Sequence, residues 1–443
     1  MKYLLSVLVL ILILLQTLSI DASLAPGLSV KNAAVYLIAS LLIARIVVQG
    51  RFRVDLGGLQ ASMLFLCAYA ILSWLVTLFA IQYPGYQFLG SAIALKTQIL
   101  DQIIFFMVFF YACSTLEDSL VVTDALLIGG ILANVITVLD ASGILGLNVI
   151  AVREDIWESG RVQGAFGEAN QHAGVTVMLL PGVIARALAA IGLRRLGWLT
   201  GAVFMVAAVL MTASRGAMVG IVLAALWGAF IFRRFISFGR VARWAGVGVV
   251  LLSAVLISLS ATYTDLLRDR VLGLSLGGSA FTASSGRSEI WATAFNVMLD
   301  SPWSLITGFG WGAYAAMGFE FAPHNHYLGT WFNLGLPGLT AFVMICGYVI
   351  FTARTAAEVA DSQVRSMMIA FSVGFLALLI SVFFVEMHEP WVYVWIYVGV
   401  TMRAAVVVQT SRRGERAPVR AKARTQPGAA RRRRGAVGAR RPA

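Results

Sequence analysis

Between Ser284 and Leu339 the chain gathers Arg287, Glu289, His324 and His326, in a sequence that is otherwise largely hydrocarbon. Neutral imidazole near pH 7 is a natural general base, and guanidinium forks are bidentate donors that stay charged and suit a diphosphate. Two further arginines stand in glycine-rich surroundings, Arg161 in GRVQGAFGEANQHAG and Arg215 in TASRGA. Two or three guanidiniums and one imidazole meeting at a membrane surface fit transfer of a group from a lipid diphosphate to a hydroxyl. The base would activate the acceptor while the arginines hold the leaving group.

Each of these residues also has a plainer reading. Arg215 lies in a short turn between two apolar helices, so it either snorkels to the interface or meets an anion, and Gly216 would let a ligand approach the backbone. Arg287 opens a segment of helical periodicity, EIWATAFNVML, so it sits on the first turn of a short helix. Backbone N–H groups there favour an anion; a capped surface helix with Glu289 pairing locally is the alternative. Arg161 approaches the sixth span beside Gly160, Gly164 and Gly167, a spacing expected of a loop pressed closely against something. It could equally pair with Glu158 or Glu168. His324 and His326 are a base and its neighbour, an interfacial pair, or two ligands of a metal whose third ligand would come from Glu386, His388 or Glu389. No nucleotide-phosphate loop, dinucleotide glycine pattern, nucleophile elbow or Cys-x-x-Cys is present.

The elements that must position these groups are membrane helices. Hydrophobic residues make up 59% of 443 positions and charged ones 12%, and the apolar residues fall in blocks of roughly twenty, the length that crosses the hydrocarbon layer. The expected fold is an all-α polytopic membrane protein of twelve spans near 3–20, 33–49, 59–81, 97–113, 119–139, 169–190, 196–213, 215–232, 243–262, 327–352, 364–386 and 390–408. The first apolar run has no clean cleavage site after it and is read as a helix, not a signal peptide. With both termini inside, Arg51, Arg53, Arg194, Arg195, Arg233 and Arg234 fall in inner loops, as the positive-inside rule asks. The outer face then receives the loops 140–168 and 263–326 and all four histidines, His172, His324, His326 and His388.

Of the net charge of +13, the segment from Arg403 onward supplies thirteen basic residues against Glu415 alone, leaving the body nearly neutral. The expected organisation is one membrane domain, 1–408, with an extracytoplasmic helical loop between spans 9 and 10, and a disordered basic cytoplasmic tail, 409–443. The tail has no aromatic residue to stack on bases, so its partner is the phospholipid membrane and not nucleic acid. Cys67, Cys113 and Cys346 lie within spans with no metal or pairing spacing.

One set of motifs resembles a known family. His324-Asn325, nine residues, then Gly335-x-x-Gly338 is its most specific part, supported by RVQGAFGEAN, SRG at 214–216 and GRSEIW leading to GFGWG. These resemble the bacterial O-antigen ligase and O-antigen polymerase superfamily, membrane glycosyltransferases of the GT-C type. Where the family often carries Asn-Pro-Asn, this chain has Glu168-Ala169-Asn170. The resemblance implies transfer of an undecaprenyl-diphosphate-linked glycan to a hydroxyl of lipid A–core at the periplasmic face of a bacterial inner membrane, inverting and without metal or other cofactor. It implies His324 as catalytic base, Arg215 and Arg287, with Arg161, on the diphosphate, and Asn325, His326, Asn170, Gly335 and Gly338 around the substrate. A polymerase using a second lipid-linked glycan as acceptor is the nearest alternative. A lipid-linked glycan transporter, which would want charges such as Arg45, Lys96, Asp101 or Asp140 at a central site, is an alternative of another class.

Overall fold

The computed structural model describes residues 1–20, 23–49, 55–150, 161–235, 286–387 and 391–424, together with the isolated positions 239, 246 and 248. Its helices are α1 (Lys2–Thr17), α2 (Val30–Gln49), α3 (Gly57–Val76), α4 (Phe88–Leu95), α5 (Asp101–Ala112) and α6 (Leu116–Ala141). After a loop come α7 (Ala169–Ala189), α8 (Gly192–Thr212) and α9 (Arg215–Ile231). Three short helices, α10 (Arg287–Asp300), α11 (Pro302–Thr307) and α12 (Ala313–Ala316), precede α13 (His326–Val359), α14 (Ser362–Ser381) and α15 (Trp391–Arg424). A two-stranded ribbon, Ser23–Ala25 against Leu28–Ser29, links α1 to α2.

Among the described residues eight helices are long and apolar enough to cross a membrane, and Lys2–Thr17, Val30–Ala44 and Arg215–Ile231 are shorter apolar helices. These eleven stand where eleven of the expected spans were placed; the expected span 243–262 lies outside the described residues. α15 continues past the expected end of the last span to Arg424, into the basic segment. Exposed Leu64, Phe79, Leu226 and Phe351 ring the bundle, as a hydrocarbon solvent permits.

Local chemistry sets the helix ends. Thr115 and Asp118 form a capping box at the start of α6, and Asp361 accepts from the backbone of Gln363 and Val364 at the start of α14. Two π-helical turns interrupt the early spans: Thr77–Ile81 ends α3, and Lys96–Leu100 joins α4 to α5 in one 25-residue span. Such turns rotate the side chains that follow and often accompany functional sites.

α7 is packed by α8, α9 and α14, while α15 lies on α5 and α6 and α13 on α3, α14 and α15. Charges inside the spans are satisfied locally. Asp101, 2% exposed, accepts from Lys96 at 2.8 Å, Asn32 at 3.1 Å and the Tyr36 hydroxyl. Asp140 accepts the backbone N–H groups of Leu147, Asn148, Val149 and Ile150 at 2.7–3.0 Å, wrapping the loop that leaves α6. Arg186 pairs with Asp124 at 2.5 Å. The charges considered for a central transport site therefore brace helices and turns; the side chain of Arg45 lies outside the described residues.

Candidate active site

α13 begins with a side-chain cap. Asn325 Oδ1 accepts the Leu328 N–H at 3.0 Å, and Asn325 itself is buried. The residue before this cap is His324, half-buried and held at φ 45°, one of five non-glycine residues with positive φ among those described. A left-handed conformation costs an L-residue roughly 1–2 kcal/mol, so it persists only where surroundings impose it, as functional sites commonly do. His326, the first residue of the helix, lies inward instead: its ring packs at 5.1 Å on both Phe342 and Trp391, and its backbone N–H donates to the Val382 carbonyl at 2.9 Å. The two histidines thus separate, His324 onto the turn and His326 into the bundle.

The turn between α14 and α15, residues 382–387, ties the candidate residues together. Its Phe383 meets Trp291 edge-on at 5.5 Å, and Trp291 Nε1 donates to the Pro323 carbonyl at 2.8 Å, which fixes α10 beside His324. Phe384 fills the space that a β-carbon on Gly216 would need, so the start of α9 sits against the same turn. Gln171 of α7 donates to the Glu386 carbonyl at 3.0 Å. Arg287 and Arg215 are the first residues of α10 and α9. A cation at a helix N-terminus is opposed by the helix dipole and by the unpaired N–H groups. Two such placements around one turn make a surface that favours an anion.

Arg161 and Asn170 do different work. Arg161 is 2% exposed; its Nε donates to the Thr212 carbonyl at 2.9 Å and its terminal nitrogen to Asn170 Oδ1 at 2.8 Å. This arginine fastens the end of α8 to the start of α7, just before the turn carrying Arg215. The glycine loop is pressed against His172: a β-carbon on Gly164 would lie 1.9 Å from the imidazole, which also stacks on Phe166 at 5.5 Å. Gly160 and Glu158 lie outside the described residues.

Gly335 and Gly338 form a kink. Gly335 takes φ 62°, ψ −165°, and a β-carbon there would stand 2.2 Å from the Ile306 carbonyl oxygen. Pro337 follows and has no N–H to continue the ladder. The carbonyls released at Phe332 and Asn333 accept the N–H groups of Phe309 and Gly310 at 2.8 and 3.0 Å, docking the GFGWG segment. Tyr83 and Tyr86 fasten its other side, donating to the Phe309 and Trp311 carbonyls at 2.9 and 2.6 Å. The glycine pair therefore supports the approach to His324, Gly335 against the 306–308 backbone and Gly338 against the Leu334 side chain.

Beside this turn a cleft of about 720 Å³, counted with its open mouth, descends between α3, α5, α13 and α15. His326, Thr330, Asn333, Gln98, Gln102 and Glu386 supply its polar lining. Burial and the nearby charge of Glu168 raise the Glu386 carboxyl to about 8, so it holds a proton over much of the neutral range. The sequence pointed to Glu386 only as a third metal ligand, and the glutamines not at all. Of the other two such ligands, His388 and Glu389 lie outside the described residues.

Comparison with protein families places this geometry. Residues 200–343 match the family described as O-antigen ligase. That stretch runs from α8 to the middle of α13 and contains Arg215, Arg287, His324, Asn325, His326 and both kink glycines, but neither Arg161 nor Asn170. A search among curated proteins finds no similar sequence. The match over residues 200–343, about a third of the chain, supports a relationship to the O-antigen ligase and polymerase superfamily.

Proposed function

We propose that the protein is a glycosyltransferase of O-antigen ligase type, joining an undecaprenyl-diphosphate-linked glycan to a hydroxyl of lipid A–core at the periplasmic face of a bacterial inner membrane. The observation that carries this reading is the pair of arginines at the starts of α9 and α10 flanking the turn that holds His324 at positive φ.

In this reading the acceptor hydroxyl gives its proton to the His324 imidazole as its oxygen bonds to the anomeric carbon. The bond from that carbon to the diphosphate oxygen breaks, and the configuration inverts. Arg215 and Arg287 hold the charge that develops on the departing undecaprenyl diphosphate, the task a metal ion performs in other transferases. Arg161 and Asn170 keep the α8–α9 turn in place, and Asn325 fixes the start of α13 from which His324 is presented. Helix N-termini add fixed donors without reorganisation.

The test is transfer by purified protein in EDTA, with undecaprenyl-diphosphate glycan and either lipid A–core or a second lipid-linked glycan as acceptor. Chelator-resistant transfer to lipid A–core is expected. Chain elongation on the second lipid-linked glycan would make the protein a polymerase, and transfer to neither acceptor would overturn the reading.

A further inference from the structure

The cleft beside His326 has a lining that the transfer step does not use. Gln98 and Gln102 lie four residues apart, on one face of the span that contains the Lys96–Leu100 π turn, and both line the cleft. Gln102 is 7% exposed. Its Oε1 accepts Trp395 Nε1 at 3.1 Å, which fixes the amide orientation and points the NH₂ end elsewhere. That Nε2 finds no acceptor among the described residues. An unsatisfied donor buried about 20 Å along a membrane span from Phe88 is costly and calls for an acceptor.

The rest of the lining narrows the chemistry. Trp311, Trp395 and Phe342 give flat apolar walls. Asn333 is engaged with the Gly329 carbonyl and the Tyr314 N–H at 2.9 and 3.2 Å, so it shapes the wall. Thr330 donates to the His326 carbonyl at 2.7 Å and keeps lone pairs to accept with. Among the described residues, Glu386 and His326 are the only lining residues of acidic or basic type, and no lysine or arginine lines the cleft. Flat apolar walls with a few amide and hydroxyl groups suit a ring bearing neutral hydroxyls. An anionic ring would be desolvated against apolar walls with no described lysine or arginine to meet its charge.

We propose that this cleft is a subsite for an uncharged sugar ring, with Gln102 Nε2 donating to one of its oxygens and Gln98 and Thr330 flanking it. The inference rests on the glycan-transfer reading and deepens it: the transferase would select neutral over acidic sugars next to the reacting hydroxyl.

The experiment is binding without turnover. Full-length protein in phosphatidylcholine nanodiscs is titrated with maltotriose, a neutral probe, and with trigalacturonate, an acidic one of equal length, following tryptophan fluorescence. Saturable binding of maltotriose is expected, at least about tenfold tighter than trigalacturonate and weakened about five- to tenfold by Gln102→Leu, the loss of one hydrogen bond. If that variant does not retain the wild-type thermal midpoint, Gln98→Leu is judged by the same criterion. Equal affinity for the two probes, no binding of maltotriose, or unchanged binding by a folded variant overturns the proposal. Preference for maltotriose through Gln102 in a protein inactive in transfer would keep the subsite and remove the transferase reading. Active transfer without that preference would do the reverse.

Discussion

Two turns at one end of the bundle both carry asparagine, glycine and histidine and end in opposite states. In the segment 161–172, arginine, asparagine, glycine and histidine are turned inward: Arg161 is bonded to Thr212 and Asn170, and His172 is fully buried beneath Gly164. In the segment 323–329 the histidine before the helix, His324, stays half-buried in a strained conformation, and His326 two residues on lines an open cleft. Residue type alone does not mark chemistry in a membrane protein. Burial against the chain's own backbone and rings marks a brace, while backbone strain next to accessible space marks a site.

Four substitutions test that division, taken from the largest expected effect. Gly335→Ala forces a side chain against the Ile306 carbonyl in a left-handed conformation. A loss of about 3–4 kcal/mol in stability is expected from strain plus overpacking, read as a lower unfolding midpoint together with lost transfer. Arg161→Leu should cost about 3 kcal/mol, since it strips charge-assisted bonds from Thr212 and Asn170; an unchanged midpoint would remove Arg161 from the braces. Arg287→Lys keeps the charge but loses the fork, so transfer should fall about 10- to 100-fold with the midpoint unchanged. Near-normal transfer would take Arg287 off the diphosphate.

Glu386→Gln has the smallest effect, and it is a pH effect. Burial raises this carboxyl to about 8, so between the ordinary carboxylate range and that value the folded chain holds a proton that the unfolded chain releases. Its contribution is complete at low pH and is lost as pH rises toward 8. The wild-type midpoint should therefore fall between pH 5 and pH 8 more steeply than that of the variant, by a few degrees. Parallel curves would mean that Glu386 is ionised in the folded protein.

The sequence was most legible where a single physical rule dominates. Hydrocarbon blocks placed eleven helices, and helical periodicity after Gly286 placed α10 with Arg287 on its first turn. The close packing of the 161–168 loop was readable from its glycines, but not its partner, His172. The same limit applies at Gly335 and Gly338: glycine spacing announces a close approach without saying whether a substrate or the chain itself approaches. Here the neighbour is the chain itself, the 306–308 backbone at Gly335 and the Leu334 side chain at Gly338. Gln98 and Gln102 gave no signal, since two amides at helical spacing in an apolar run look alike whether they face a cleft or a neighbouring helix; the π turn and the packing of Trp395 bring them to a cleft.

The most direct measurement compares the two histidines. Transfer and thermal midpoint are read for wild type, His324→Ala and His172→Phe, purified alike. The account predicts that His324→Ala lowers transfer by about 10²- to 10⁴-fold, the range for a lost general base, with its midpoint unchanged. It predicts that His172→Phe keeps transfer within a fewfold, with any change confined to the midpoint. Near-normal transfer by a folded His324→Ala protein, or its loss in a folded His172→Phe protein, would contradict it.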